Sequence, residues 1–130
     1  MPSDVNDPEV VREVTATFER YEAALVGNHL ATLDELFWDD ERVVRFGLAD
    51  RQYGAAAVSA FRHAQAVQAP PRRLEEVRVT AFGADVAVVT VAFVPDGDTR
   101  LGRQSQVWIR RPEGWRVASA HVSWEGASPA

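Results

Sequence analysis

Between Asp7 and Leu25 the apolar residues Val11, Val14, Phe18, Tyr21 and Leu25 recur at alternating steps of three and four. That spacing lays a single apolar stripe along a helix. Asp7 can cap its first turn, Pro8 suits the first helical position, and Glu9 complements the positive end of the helix dipole. Gly27-Asn28 ends this helix and opens a second, whose buried face is Leu30, Leu33, Leu36 and Phe37 and which closes on the acidic run Asp39-Asp40-Glu41. A short extended piece follows from Arg42 to Gly47, with Val43 and Arg45 on one side and Val44 and Phe46 on the other. Gly54 then opens an alanine-rich stretch, 54–67, in which Val58 and Phe61 predict a third helix that Pro70-Pro71 stops.

Beyond those prolines the period changes from helical to alternating. Strands are predicted at 74–82, 85–95, 102–110 and 114–124, separated by Gly83-Ala84, by Pro95-Asp96-Gly97-Asp98 and by Pro112-Glu113-Gly114. Helices segregated from a run of strands define an α+β domain with an antiparallel meander, not a doubly wound parallel sheet. A strongly curved sheet wrapped around the long first helix makes a cone with an internal cleft. Its concave face lines that cleft, and its convex face is expected to be covered by a partner subunit. The whole chain, 1–130, reads as one such domain, with a core of about 7–125 and short loose termini.

The last two strands do not sort cleanly. Gln104, Gln106 and Trp108 alternate with Arg103, Ser105, Val107 and Ile109, while Trp115, Val117, Ser119, His121 and Ser123 alternate with Arg116, Ala118, Ala120, Val122 and Trp124. Polar and apolar residues mix on every face, and a slip of one residue at a bulge would exchange the faces. Either Gln104, Gln106 and Trp108 enter the cleft, with Thr90 beside them on the neighbouring strand, or Ser105, Ser119, His121 and Ser123 do.

Composition narrows the chemistry. The 14 basic residues are all arginines, against 19 acidic ones, and the net charge is −5. Without a basic stripe, nucleic acid is a poor partner, and guanidinium forks are the only strong cationic groups available to recognise an anion. The chain has no cysteine, and His29, His63 and His121 are scattered, so neither disulfides nor a metal centre is expected. No stretch is apolar enough to span a membrane, and the opening residues lack the pattern of a signal peptide, so a cytoplasmic location is expected. There is no nucleophile elbow of the G-x-S-x-G type and no lysine for a Ser-Lys pair.

The segments "EVTATFERYEAAL" (13–25), "LDELFWDDERVVRFG" (33–47), "YGAAAVSAFRHA" (53–64) and "GRQSQVWIRRPEGWRVASAHVS" (102–123) resemble the AtzH-like family, whose relatives include the oxalurate-catabolism protein HpxZ. The element order is similar to the wider cone superfamily of nuclear transport factor 2, SnoaL-type cyclases and ketosteroid isomerase. The resemblance implies a cofactor-free, homodimeric enzyme of ureide or cyanuric acid catabolism, an amidohydrolase or decarboxylating amidohydrolase that converts 1,3-dicarboxyurea to allophanate. It also implies that the catalytic pair corresponds to Tyr21 and Arg45.

The residues themselves leave alternatives open. Tyr21, on the apolar stripe, is either a hydrogen-bond donor to a reacting carbonyl or a core tyrosine bonded to the backbone. Arg45, in an otherwise apolar segment, must meet an anion, which is either a nearby carboxylate of the protein or a carboxylate of the substrate. Gln104, Gln106 and Thr90 can read the amide edges of a small anionic ureide, with Trp108 as an apolar wall. Trp38 and Arg62 are further candidates for the cleft. His121 is either a general base or a residue of the subunit contact. The strands that would line the cleft carry no carboxylate, which argues against the base that steroid isomerisation requires. Cleavage would then need direct attack by water or loss of a carboxyl group. A second reading is a non-catalytic binding protein, such as an accessory subunit of a neighbouring amidase, and a third is a structural dimer with a vestigial cleft.

Overall fold

A computed structural model describes residues 4–65 and 68–126. Helix α1 (Pro8–Val26) is capped by Asp7, whose side chain accepts a hydrogen bond from the Glu9 N–H at 2.9 Å. It presents Val10, Val14, Phe18, Tyr21 and Ala24 to the core. Helix α2 (Leu30–Leu36) buries Leu33 and Leu36. Phe37 is buried too, but it has left the helix and bridges to Val117. Strands β1 (Val44–Phe46) and β2 (Arg51–Tyr53) form a short hairpin ahead of α3 (Ala55–Ala64). The sequence pattern had no signal for β2, a strand of three residues with only one buried side chain, Gln52. The expected third helix reaches Ala64, and its proposed continuation through Ala66 and Val67 lies outside the described residues. So does most of the tail expected after Glu125.

Four long strands complete the chain: β3 (Arg72–Phe82), β4 (Val86–Pro95), β5 (Gly102–Arg111) and β6 (Gly114–Trp124). They pair as the expected antiparallel meander, and the whole sheet runs β2-β1-β6-β5-β4-β3. One pairing breaks the pattern: β1 lies parallel to β6, with Arg45 opposite Ala120 and Phe46 opposite His121. The short hairpin thereby extends the sheet and brings Arg45 beside the middle of the last strand.

Bulges bend the sheet. One lies in β3 between Glu75 and Arg78, where Glu76 adopts a positive φ of 52°. The other lies in β6, where Val107 pairs with Ser119 and the next residue of β5, Trp108, pairs with Val117. Ala118 is therefore an extra residue, and it accounts for the mixed faces in the sequence. Before it, Trp115 and Val117 point into the cone; after it, Ala120 is the buried residue, and Val122 lies opposite Gln104. On β5 the alternation is unbroken, with Gln104, Gln106 and Trp108 buried and Ser105 exposed. The core fills the space between this concave face and α1, around the fully enclosed Trp108, Phe18, Leu33 and Leu36. No helix among the described residues is long and apolar enough to cross a membrane.

Candidate functional site

Between the concave face and the helices lies a cleft of about 550 Å³. That is within the usual range for small-molecule sites, roughly 300–1,000 Å³. Its walls are largely apolar, with Leu25, Leu30, Leu33, Phe61 and Phe93 contributing, and four arginines reach it: Arg45, Arg62, Arg72 and Arg100.

Three of the four are matched by a carboxylate. Arg45 Nη1 donates to Asp50 Oδ1 at 2.8 Å and to Gln52 Oε1 at 2.8 Å, and Gln52 in turn donates to Asp50. Gly47 makes this possible, because a Cβ at that position would collide with the Asp50 carboxylate. Arg72 forms a two-pronged pair with Glu22, Nε bonding Oε2 at 3.1 Å and Nη2 bonding Oε1, and both side chains are about nine-tenths buried. At the rim, Arg100 is bound by Asp98, whose carboxyl the guanidinium's hydrogen bonds and charge hold down at about 2.

Arg62 is different. It is 9 % exposed, and among the described residues no carboxylate pairs with it. Its Nη2 donates to the Tyr21 hydroxyl at 3.2 Å, its guanidinium lies over the Phe37 ring at 5.1 Å, and its Nε is buried with no hydrogen-bond partner. Since Arg62 already occupies the phenolic oxygen as acceptor, the Tyr21 O–H is left to donate elsewhere. Gln104 repeats this arrangement. Its Oε1 accepts from Arg72 at 3.2 Å, while its Nε2 is buried without an acceptor.

The structure thus brings Tyr21, Arg45, Arg62 and Gln104 together around one space. Gln106 and Trp108 lie behind it, bonded to each other through Trp108 Nε1 and Gln106 Oε1 at 3.1 Å. Trp108 meets the Tyr21 ring edge-on at 6.1 Å and so backs the site rather than lining it. Two expected members are elsewhere. Thr90 pairs with Ser105, not with Gln104 or Gln106, and is exposed on the convex face, since its strand alternates in phase with β5. Trp38 follows the end of α2 and is held away from the cleft by its N–H bond to the Val117 carbonyl, with Arg42 and Arg111 stacked on its ring. His121 reaches the rim only, its ring edge-on to Phe46 at 5.4 Å. Arg72 and Glu22 were not foreseen as site residues; the helical stripe hid Glu22, which stands next to Tyr21 in the sequence.

A helix-filled, curved sheet with a cleft lined from its concave face defines the nuclear transport factor 2-like class. An NTF2-like protein of unknown function from Pseudomonas putida shares this fold at a TM-score of 0.76 and 20% identity, over 90% of this chain and 87% of that one. Within the class, the AtzH-like family model matches residues 3–128, and the chain belongs to that family. Two solved structures are much closer relatives. A protein of unknown function of the DUF3225 family from Pectobacterium atrosepticum is 46% identical over 97% of this chain and 98% of that one, at a TM-score of 0.92. A cystatin-like fold protein from Burkholderia xenovorans is 40% identical over 95% and 98%, at a TM-score of 0.90. No curated protein matches the chain.

Proposed function

We propose that this protein is a cofactor-free enzyme acting on a small carboxylated urea or amide, of the 1,3-dicarboxyurea kind. The observation that carries this reading is the donor-rich cleft: Tyr21, Gln104 and Arg62 line one largely apolar space, and among the described residues Gln104 Nε2 and Arg62 Nε are buried without an acceptor. A planar molecule rich in carbonyl and carboxylate oxygens satisfies such a set, and leaving it unsatisfied is costly.

Conversion of 1,3-dicarboxyurea to allophanate is the loss of one carboxyl group as carbon dioxide. The bond between nitrogen and the carboxyl carbon breaks, and its electron pair stays on nitrogen and spreads onto the urea carbonyl. That oxygen gains charge, which the Tyr21 hydroxyl stabilises, and the nitrogen then takes a proton from water. Both carboxylates lining the cleft, Asp50 and Asp98, are bonded to arginines. This favours loss of a carboxyl group, which needs no base, over activation of an attacking water. Arg45 keeps Nε and Nη2 free of protein partners among the described residues, so it can bind a carboxylate of the substrate as well as Asp50.

Incubation of the purified protein with 1,3-dicarboxyurea generated in situ, following bicarbonate and allophanate, tests the reading. Accumulation above the enzyme-free control supports it, and an unchanged rate overturns it. A second reading, a binding subunit for an amidase, draws on the same cleft and would show as tight ligand binding without turnover.

The convex face exposes Tyr53 and Val86. We propose that two copies pair there, which light scattering checks directly.

A further inference from the structure

Of the four cleft arginines, Arg62 alone has no carboxylate among the described residues. We infer that Arg62, rather than Arg45, is the primary anion anchor, and that the inner cleft is built for one negative charge. This rests on the proposed function and specifies which part of the ligand goes where.

A guanidinium nine-tenths buried and without a counter-ion is costly in the empty protein. Among the described residues its compensation is a neutral phenol and the faces of Phe37 and Tyr21. One carboxylate beside Arg62 neutralises it. The same oxygens lie within the reach of the Tyr21 hydroxyl, because Arg62 and Tyr21 are already in contact. Arg72 cannot serve this purpose, because Glu22 occupies two of its nitrogens, and Arg100 is neutralised at the rim. Arg45 is already neutralised by Asp50. A second anionic group on the ligand would therefore meet a cation of reduced field. In a dicarboxylated urea the group at Arg62 is held as a stable anion, and the group toward Arg45 is the one free to depart.

The probe is N-carbamoylglycine, a stable ureide with one carboxylate, compared with its uncharged amide by calorimetry on wild type, Arg62→Gln and Arg62→Lys. Wild type is expected to prefer the carboxylate by roughly 30-fold or more, the usual effect of removing one partner from a desolvated charged contact. Arg62→Gln should lose that preference, and Arg62→Lys should keep part of it. Because Arg62→Gln removes a buried uncompensated charge, its empty form should melt no lower than wild type, so lost binding would not reflect lost folding. Carboxylate preference retained in a folded Arg62→Gln protein overturns the inference and leaves the proposed function standing. Failure of wild type to bind either probe, with turnover of the dicarboxylated urea intact, likewise overturns the inference alone. Failure of binding and turnover together overturns both.

Discussion

Arg62 on α3 donates through Nη2 to the hydroxyl of Tyr21 on α1 at 3.2 Å, joining the two helices through residues 41 apart in the sequence. The contact fixes which way the phenol can act, because an oxygen already accepting from a guanidinium offers its proton to whatever enters the cleft.

Tyr21→Phe removes that donor and also strips Arg62 of the one side-chain hydrogen bond it makes among the described residues. Turnover of the dicarboxylated urea should fall by roughly 100- to 1,000-fold, as when one donor to a developing oxyanion is lost. Stability should fall by about 1–3 kcal/mol because a buried donor is left unsatisfied. Paired kinetic and urea-unfolding measurements read both.

Arg45→Ala separates the two cationic positions. For a dicarboxylated urea kcat/KM should drop by roughly 30-fold or more, whereas affinity for a monocarboxylated ureide should stay within about 3-fold of wild type, the scale of a contact worth less than 1 kcal/mol. Comparable losses for both ligands would place the single anion at Arg45 instead.

Glu22→Gln leaves Arg72 buried without its carboxylate. The expected cost is about 3–5 kcal/mol, the usual penalty for breaking one side of an enclosed ion pair. By contrast Arg12→Ala, which removes an exposed partner of Glu9, should change stability by less than about 1 kcal/mol. Chemical denaturation of the two variants side by side checks the contrast.

Asp98 should remain ionised far into acid. Its carboxyl titrates at about 2 in the folded protein because of its hydrogen bonds to Arg100, against roughly 3.9 for an unperturbed aspartate. A lowered folded value means that the pair stabilises the fold above about pH 4. That contribution then fades as the pH falls through about 2. Carboxyl-carbon NMR should show the low midpoint in wild type and a return toward the ordinary value in Arg100→Ala.

The helices, the long strands and the cone were legible in the sequence because each rests on many residues repeating one period. The cap at Asp7 and the stripe through Tyr21 are strong local signals, and the structure follows them closely. Strand β2 was not legible, since three residues carry no period, and its pairing with β1 is fixed by the sheet rather than by its own composition. The faces of β5 and β6 were ambiguous for one reason, the extra residue at Ala118, which makes strict alternation fail within β6. Thr90 was misplaced because alternation within a strand says nothing about its phase against the next, which only the Thr90–Ser105 pairing supplies. The site's charge pattern was legible as composition, arginine without lysine, but not as an arrangement. Which cleft arginine lacks a carboxylate among the described residues depends on contacts such as Arg45 with Asp50 and Arg72 with Glu22, the latter 50 residues apart.

The bulge at Ala118 also bears on how such a cleft can diversify. Ala120, which lines the cleft, stands two residues after the extra one, within the stretch of β6 that receives Arg45. Gaining, losing or sliding a single residue there alters the depth of the cavity and the approach of Arg45 without replacing any side chain that touches a ligand. Chains of this fold can therefore differ in cavity size through insertions and deletions in a strand, a kind of variation that comparing cleft residues one by one would overlook.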